Sequence, residues 1–167
     1  MTVSIKRLSK HLLGNRARVR KAFSPQGLKR IEDAIKASEA RHGGQIRFAV
    51  EGALDGRPLL TGQSARDRAI DLFSHLRIWD TEHNSGVLIY LLLADRDVEI
   101  VADRGIDAKV GAARWRDMCA TMEAAFGHGH FEQGVLTGIE QITQELVAHF
   151  PARGGHRNEL PDPPVVL

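Results

Sequence analysis

The sequence has little cysteine and no long apolar run. Of its 167 residues a single one, Cys119, is a cysteine, which excludes an internal disulfide framework and favours a reducing compartment. The most hydrophobic run, VLIYLLLA, is eight residues long, whereas a membrane-spanning helix needs about 20. The N-terminal residues carry scattered charges and lack the clean apolar region of a signal peptide. We therefore expect a cytoplasmic protein without a transmembrane segment.

Several widespread motifs are also missing. The chain has no G-x-S-x-G, no Walker A loop, no H-E-x-x-H and no G-x-G-x-x-G, which argues against the commonest hydrolase, nucleotide-binding and zinc-protease designs. Asp95 and Asp97 imitate the D-x-D of aspartate-nucleophile phosphatases, but strand residues resume directly after them, which favours a hairpin turn. His128 and His130, flanked by glycines, are typical of a loop between helices. Cys119 lies on an apolar helix face and is expected to be inert.

Acidic residues are absent from the first 31 positions, which hold nine lysines and arginines, whereas the rest of the chain holds 14 basic and 21 acidic residues. A basic N-terminal arm, residues 1–23, therefore precedes a mildly acidic body. Two interpretations stay open. Residues 1–21 bind an anionic membrane surface or a protein partner, or they form a solvated extension that folds back on the body. Nucleic acid is an unlikely partner, because no aromatic residues interleave with the cations.

Hydrophobic periodicity predicts the order helix, strand, helix, strand, strand, helix, helix after a short amphipathic helix within residues 3–13. Ser24-Pro25 begins the first of these helices, and a capping box of Ser64 and Asp67 begins the second. The remaining elements are expected as strands at 45–54, 86–94 and 98–103, helices at 108–126 and 131–150, and a loop at 54–63.

This order predicts one α/β domain over residues 24–150. The first strand, the helix after it and the central strand 86–94 form a right-handed crossover, so these two strands are parallel. The third strand returns antiparallel through a two-residue turn at Asp95-Arg96. The expected architecture is a three-layer α/β/α sandwich with a small mixed sheet. Residues 151–167 hold four of the six prolines and are expected to be disordered.

Two polar loops are expected to meet at one end of this sheet, because the central strand begins where the antiparallel third strand ends. They contribute Asp80, Glu82, His83 and Asn84 before the central strand and Asp103, Arg104 and Asp107 after the third, with Gly86 and Gly105 as supporting loop residues.

Oxygen-rich loops of this kind suit Ca²⁺ or Mg²⁺, and a bound metal could also activate water for phosphate-ester hydrolysis. The candidate metal ligands are Asp80, Glu82, Asp103 and Asp107. The alternative is an ordinary polar loop, in which Asn84 and Gly86 satisfy turn conformations and Asp107 caps the following helix.

The segments NSGVLIYLLLADRDVEIVADRGI and FGHGHFEQGVLTGI resemble the TPM domain family, over roughly residues 40 to 150. The family pattern of Asn-Asn-Gly, an Asp-Arg turn, a Gly-rich exit and a late Gly-Ile helix corresponds to Asn84-Ser85-Gly86, Asp95-Arg96, Gly105-Ile106 and Gly138-Ile139. Ser85 replaces the second asparagine, and Ala102-Asp103-Arg104 stands where many relatives are richer in glycine. The resemblance implies an α/β/α sandwich.

The resemblance also implies two functions, since some members are reported as Ca²⁺ binders and others as weak acid phosphatases. We expect a divalent-cation-binding interaction domain. The alternative is a weak metal-dependent acid phosphatase acting on phosphate monoesters, with Asp103, Arg104 and His83 as catalytic residues. Many bacterial relatives carry a signal peptide and a membrane anchor, and neither pattern is found here. A cytoplasmic protein, peripheral to the membrane if its arm binds lipid, is therefore expected.

Overall fold

The fold is built on a four-stranded mixed sheet with the strand order β3-β2-β1-β4. The computed structural model describes residues 11, 15–152 and 158–167. β1 is parallel to β2 and to β4, and β2 is antiparallel to β3. The predicted crossover and hairpin are therefore confirmed. The strands are β1 (Gln45–Glu51), β2 (Gly86–Leu92), β3 (Asp97–Ala102) and β4 (Val165–Val166).

Helices cover both faces of the sheet. Both predicted helix starts are confirmed, because Ser24 Oγ accepts from Gly27 N–H at 2.9 Å and Ser64 Oγ accepts from Asp67 N–H at 3.0 Å. The described helices are α1 (Asn15–Ala22), α2 (Pro25–Glu39), α3 (Gly56–Leu60), α4 (Ala65–His75), α5 (Arg104–Val110), α6 (Ala112–Gly127) and α7 (Phe131–His149).

Successive side chains of β1 and β2 enter two separate cores, as strand geometry requires. Phe48 and Ile89 pack with α1, α2, α6 and α7 on one face. Ala49 and Tyr90 pack with α3 and α4 on the other face. Every residue of β1 and β2 is buried. The predicted α/β/α layering is therefore confirmed.

Three local predictions were wrong. The expected loop at 54–63 contains α3, and the expected helix 108–126 is two helices, α5 and α6, separated by Gly111 with φ of 84°. The β2–β3 turn takes four residues, since Leu92 pairs with Asp97. Arg96 adopts φ of 54° and its N–H donates to Leu93 O at 3.2 Å, which closes the longer turn.

The C-terminal segment, residues 158–167, is ordered, in contrast to the predicted tail. Its strand β4 extends the sheet beyond β1 and its Leu160 is buried in the second core. Gln45 Oε1 accepts from the N–H groups of Glu159 and Leu160 at 3.0 and 2.8 Å, and Arg47 Nη1 donates to Pro163 O at 3.3 Å. The prolines are compatible with this position, because an edge strand does not need every N–H group.

The N-terminal arm is partly integrated into the domain. His11 is buried, its Nδ1 accepts from Leu54 N–H at 2.8 Å, and its Nε2 lies 3.2 Å from Asp95 Oδ1. Asn15 Oδ1 accepts from Ala53 N–H at 3.0 Å, and Val19 is in the first core. These contacts support the interpretation that the arm folds back on the body. The amphipathic helix predicted within residues 3–13 lies outside the described residues, apart from His11.

A buried polar cluster connects β1, α4 and β2. Arg68 donates to both Glu51 oxygens, with Nε–Oε2 and Nη2–Oε1 distances of 2.9 and 3.1 Å, and Tyr90 Oη donates to Oε2 at 2.7 Å. Burial and the Glu51 charge raise the pKa of Tyr90, so its phenol stays protonated as a donor. The Glu51 charge is thus compensated inside the fold.

Replacing Arg68 by alanine should lower the free energy of unfolding by about 3 kcal/mol, because it leaves the buried Glu51 carboxylate without its cation. Urea denaturation measures this. Arg20→Ala, at an exposed position of α1, is the control and should change stability by less than about 0.5 kcal/mol. A loss below 1 kcal/mol in Arg68→Ala would contradict the structural role of the cluster.

A second buried carboxyl, Glu39, lies beneath the C-terminal segment. Its Oε1 accepts from Ile46 N–H at 2.9 Å, and Asp162 and Arg47 are its charged neighbours. Burial, reinforced by the Asp162 carboxylate and opposed by Arg47, raises the pKa of Glu39 from about 4.5 to about 8. Glu39 is therefore protonated in the folded protein near neutral pH.

Stability should consequently fall as the pH rises from about 5 to 8. The folded state keeps the Glu39 proton until the pH approaches 8, whereas the unfolded state has lost most of it by pH 5, so the linkage favours folding at the acidic end. Urea denaturation at both pH values should give a wild-type difference on the order of 2 kcal/mol more than that of Glu39→Gln. Equal pH dependence in the two proteins would exclude a proton held at Glu39.

Candidate functional site

The two predicted polar loops meet where β2 begins and β3 ends. We call residues 80–86 and 103–107 the loop junction. Asn84 O accepts from Gly105 N–H at 3.0 Å and from Ile106 N–H at 3.3 Å, and Asp103 N–H donates to Gly86 O at 2.9 Å. Backbone hydrogen bonds therefore hold the junction together independently of its side chains.

Close packing at the loop junction depends on glycines, which have no Cβ atom, and on a residue that adopts a positive φ. A Cβ atom at Gly105 would lie 2.6 Å from the carbonyl oxygens of both His83 and Asn84, and one at Gly86 would lie 2.1 Å from Ile78 O. Asn84 has φ of 50°, a conformation that asparagine tolerates better than most residues. Asn84, Gly86 and Gly105, the residues predicted to support the loops, therefore each occupy a position that restricts the side chain or the backbone.

Asp103, rather than Asp107, caps the helix that follows β3. Asp103 Oδ1 accepts from Arg104 N–H at 2.7 Å at the start of α5. Its other oxygen, Oδ2, is buried and has no hydrogen-bond partner within the described chain. Arg104 Nε donates to Asn84 Oδ1 at 3.3 Å. The structure thus brings Asp103, Arg104 and Asn84 together.

Asp107 has a different position from the one expected. It lies inside α5, because the helix begins four residues earlier than predicted, and its Oδ1 accepts from Trp115 Nε1 at 2.9 Å. This hydrogen bond connects α5 to α6. Asp107 therefore has a structural role between these two helices.

The remaining candidates are exposed. Asp80, Glu82 and His83 all lie at the surface. Asp80 pairs loosely with Arg77, at 3.8 Å. Glu82 contributes its backbone N–H, which donates to Glu159 Oε2 at 3.0 Å. Among residues 11, 15–152 and 158–167, no three Asp, Glu, His or Cys side chains are placed to share a metal ion.

Glu159 is the acidic residue that sequence reasoning missed at this end of the sheet. It was assigned to a disordered tail because of the surrounding prolines. The only sequence signal for an ordered segment is the terminal Val165-Val166-Leu167 run, which resembles a short strand.

The other motifs have structural roles. His128 and His130 end α6 and precede α7, and Gly129 between them has φ of 79°, so they form the expected loop. Burial raises the pKa of the Cys119 thiol to about 11, which makes it unreactive.

Comparison with known proteins agrees with this architecture. The TPM domain family matches residues 19–145, which is most of the chain. The chain belongs to the TPM domain family. The sequence resemblance found over residues 40 to 150 is thereby confirmed, and the match extends further towards the N-terminus than expected.

Solved structures that are similar to this TPM domain include the following two. The NMR structure of the BA42 protein from Bizionia argentinensis is 29% identical, with a TM-score of 0.77, and the match covers 89% of this chain and 98% of that one. The N-terminal domain of a protein from P. gingivalis is 14% identical, with a TM-score of 0.65, covering 92% and 99%. At that identity the second shows the shared fold alone. Comparison with curated proteins gives no match.

Gly105→Ala should separate the two loops of this TPM domain, because its Cβ would overlap two carbonyl oxygens. Overpacking of this kind costs about 1 to 3 kcal/mol of unfolding free energy, measurable by urea denaturation. Hydrogen exchange at the Ile106 amide should accelerate as well. Gly127→Ala is the matched control, since a Cβ there meets no atom within 4 Å. If the two variants are equally stable, the junction does not depend on close packing at residue 105.

Proposed function

We propose that this protein is a TPM-domain interaction module that binds a divalent cation, Ca²⁺ or Mg²⁺, at the loop junction. The observation that carries the proposal is Asp103 Oδ2, a buried carboxylate oxygen without a hydrogen-bond partner in the described residues. Leaving such an atom unsatisfied costs about 1 to 3 kcal/mol. A bound ion or an ordered water molecule is the usual explanation for it.

The chemistry of the junction fits a hard cation of low affinity. Ca²⁺ and Mg²⁺ take carboxylate and carbonyl oxygens and retain water. Asp103 would supply the buried oxygen, and the exposed carboxylates of Asp80, Glu82 and Glu159 surround the same loop. Because no three carboxylates of the described residues are placed to share an ion, we expect a dissociation constant on the order of 10⁻⁴ to 10⁻³ M, as in sites with few charged ligands. The ion would supply an electrostatic link between the two loops.

A weak phosphatase is the second candidate, and the position of Arg104 supports it. Its guanidinium is held by Asn84 next to the Asp103 cap, where it could bind the oxygens of a phosphate monoester bidentately. His83 is exposed on the same junction and could transfer a proton. A bound divalent cation would act there as a Lewis acid.

The partner of the interaction module is proposed to be an anionic membrane surface or a protein that contacts residues 1–21. Within the described part of this segment, Arg16, Arg20 and Lys21 are exposed on α1. Such a cluster attracts anionic lipid and loses affinity as salt increases. No helix among the described residues is long and apolar enough to cross a membrane. The corresponding location is the cytoplasm, with peripheral binding to the membrane surface.

Titration with Ca²⁺ and then Mg²⁺, followed by amide NMR, tests the cation site. We expect saturable shifts confined to residues 80–86 and 103–107, and at least a tenfold weaker affinity in Asp103→Asn, because the buried oxygen loses its charge. Asp33→Asn, at an exposed position of α2, is the control. If neither Ca²⁺ nor Mg²⁺ gives saturable shifts at 10 mM, the proposal is contradicted.

The same proteins separate the two candidate functions. In the presence of Mg²⁺, the wild type is incubated with 4-nitrophenyl phosphate and the released nitrophenolate is measured. Turnover that disappears in Asp103→Asn and in Arg104→Ala would identify a phosphatase. Metal binding without turnover would exclude the phosphatase and support the interaction module.

A further inference from the structure

A second polar site lies at the opposite end of the sheet from the loop junction. β2 has seven residues, so its two ends are about 20 Å apart. Beyond its carboxyl end is a cavity of about 340 Å³. α1 contributes Arg18 and Lys21, the β2–β3 turn contributes Leu93 and Arg96, and the start of α7 contributes Phe131.

The lining of this cavity is cationic on one side. It includes three basic side chains and no acidic one among the described residues. The nearest acidic residues in sequence, Asp95, Asp97 and Glu132, all have partners within the chain. Asp95 lies 3.2 Å from His11, and Glu132 pairs with Arg30. Lys21 and Arg96 place two like charges at one cavity, and an anion bound between them is attracted by both.

The remaining lining of the cavity is apolar. Leu93 is buried, and Phe131 stacks on Phe126 with ring centroids 5.4 Å apart, so its position is fixed. A ligand that combines an anionic group with an apolar body satisfies both parts of the lining. The volume is within the range of about 300 to 1,000 Å³ typical of small-molecule sites and is too small for a macromolecule.

The position of the cavity is independent evidence for a ligand site. β1 and β2 are parallel, and open α/β sheets bind ligands outside the carboxyl ends of their parallel strands. Arg96 is fixed in the turn by its N–H donation to Leu93 O, with φ of 54°. The backbone from which the Arg96 guanidinium extends therefore has a defined conformation.

We propose that this cavity binds a small organic phosphate monoester. Arg96, Lys21 and Arg18 would bind its dianionic phosphate, and Leu93 and Phe131 would contact its organic group. A phosphate monoester carries close to two negative charges at neutral pH, and a guanidinium binds two of its oxygens at once. The site does not depend on the loop junction and needs no divalent cation.

The test is isothermal titration calorimetry in buffer containing EDTA, with phenyl phosphate as the probe. Removing divalent ions separates this site from the proposed cation site. Phenyl phosphate should bind saturably and at least fivefold more tightly than inorganic phosphate, because only the former contacts Leu93 and Phe131. Phenol should not bind, since it lacks the dianion.

Two variants report on the cationic lining. Arg96→Ala and Lys21→Ala should each weaken phenyl phosphate binding about tenfold or more, the effect of losing a charge-assisted hydrogen bond. Arg18 is also engaged within the chain, so the test relies on the other two residues. Arg20→Ala is the matched control, because Arg20 lies on the same helix but lines a different cavity. It removes the same charge and should change affinity less than twofold.

Three results would overturn the proposal. The first is no saturable binding of phenyl phosphate up to 10 mM. The second is an equal loss in Arg20→Ala and Arg96→Ala, which would indicate diffuse attraction by the whole basic segment. The third is binding to phosphatidylcholine vesicles that carry phosphatidic acid without binding to phenyl phosphate, which would indicate a lipid surface. Amide spectra of each variant verify that it is folded.

Discussion

The parallel pairing of β1 with β2 is the constraint on which the rest of the structure depends. Both strands are buried along their whole length, so helices must cover both faces. Glu51, a charged residue that this interior retains, is compensated by Arg68 and Tyr90. The cation site and the phosphate site are proposed at the two ends of the sheet, because the strands between these ends are buried and leave no space for a ligand.

Much of this arrangement could be predicted because it is local in the sequence. The alternating and continuous apolar runs indicate β1 and β2, and the caps at Ser24 and Ser64 give the starts of α2 and α4. The meeting of the two polar loops also follows from connectivity, since an antiparallel hairpin returns its chain to the same end. The TPM resemblance depends on this same hairpin.

The remaining features could not be read from the sequence, because they depend on contacts distant along the chain. Connectivity predicts that the two polar loops meet, but nothing local distinguishes the cap Asp103 from Asp107, which accepts a hydrogen bond from Trp115. Residues 158–167 are held by Gln45 and Arg47, more than 110 positions earlier. The cavity beyond β2 combines three separate parts of the chain. Composition predicted a basic arm without indicating which of its cations share a cavity.

The fourth strand also shows that the folded unit extends beyond the family match. The family match stops at residue 145, but the folded unit continues to Leu167, whose N–H donates to Val50 O at 3.0 Å. A version of the protein cut at the end of the family match would expose the outer edge of β1, and unpaired strand edges promote aggregation. It would also uncover the second core where Leu160 now packs. Any shortened form intended for biochemical work therefore has to retain these last ten residues.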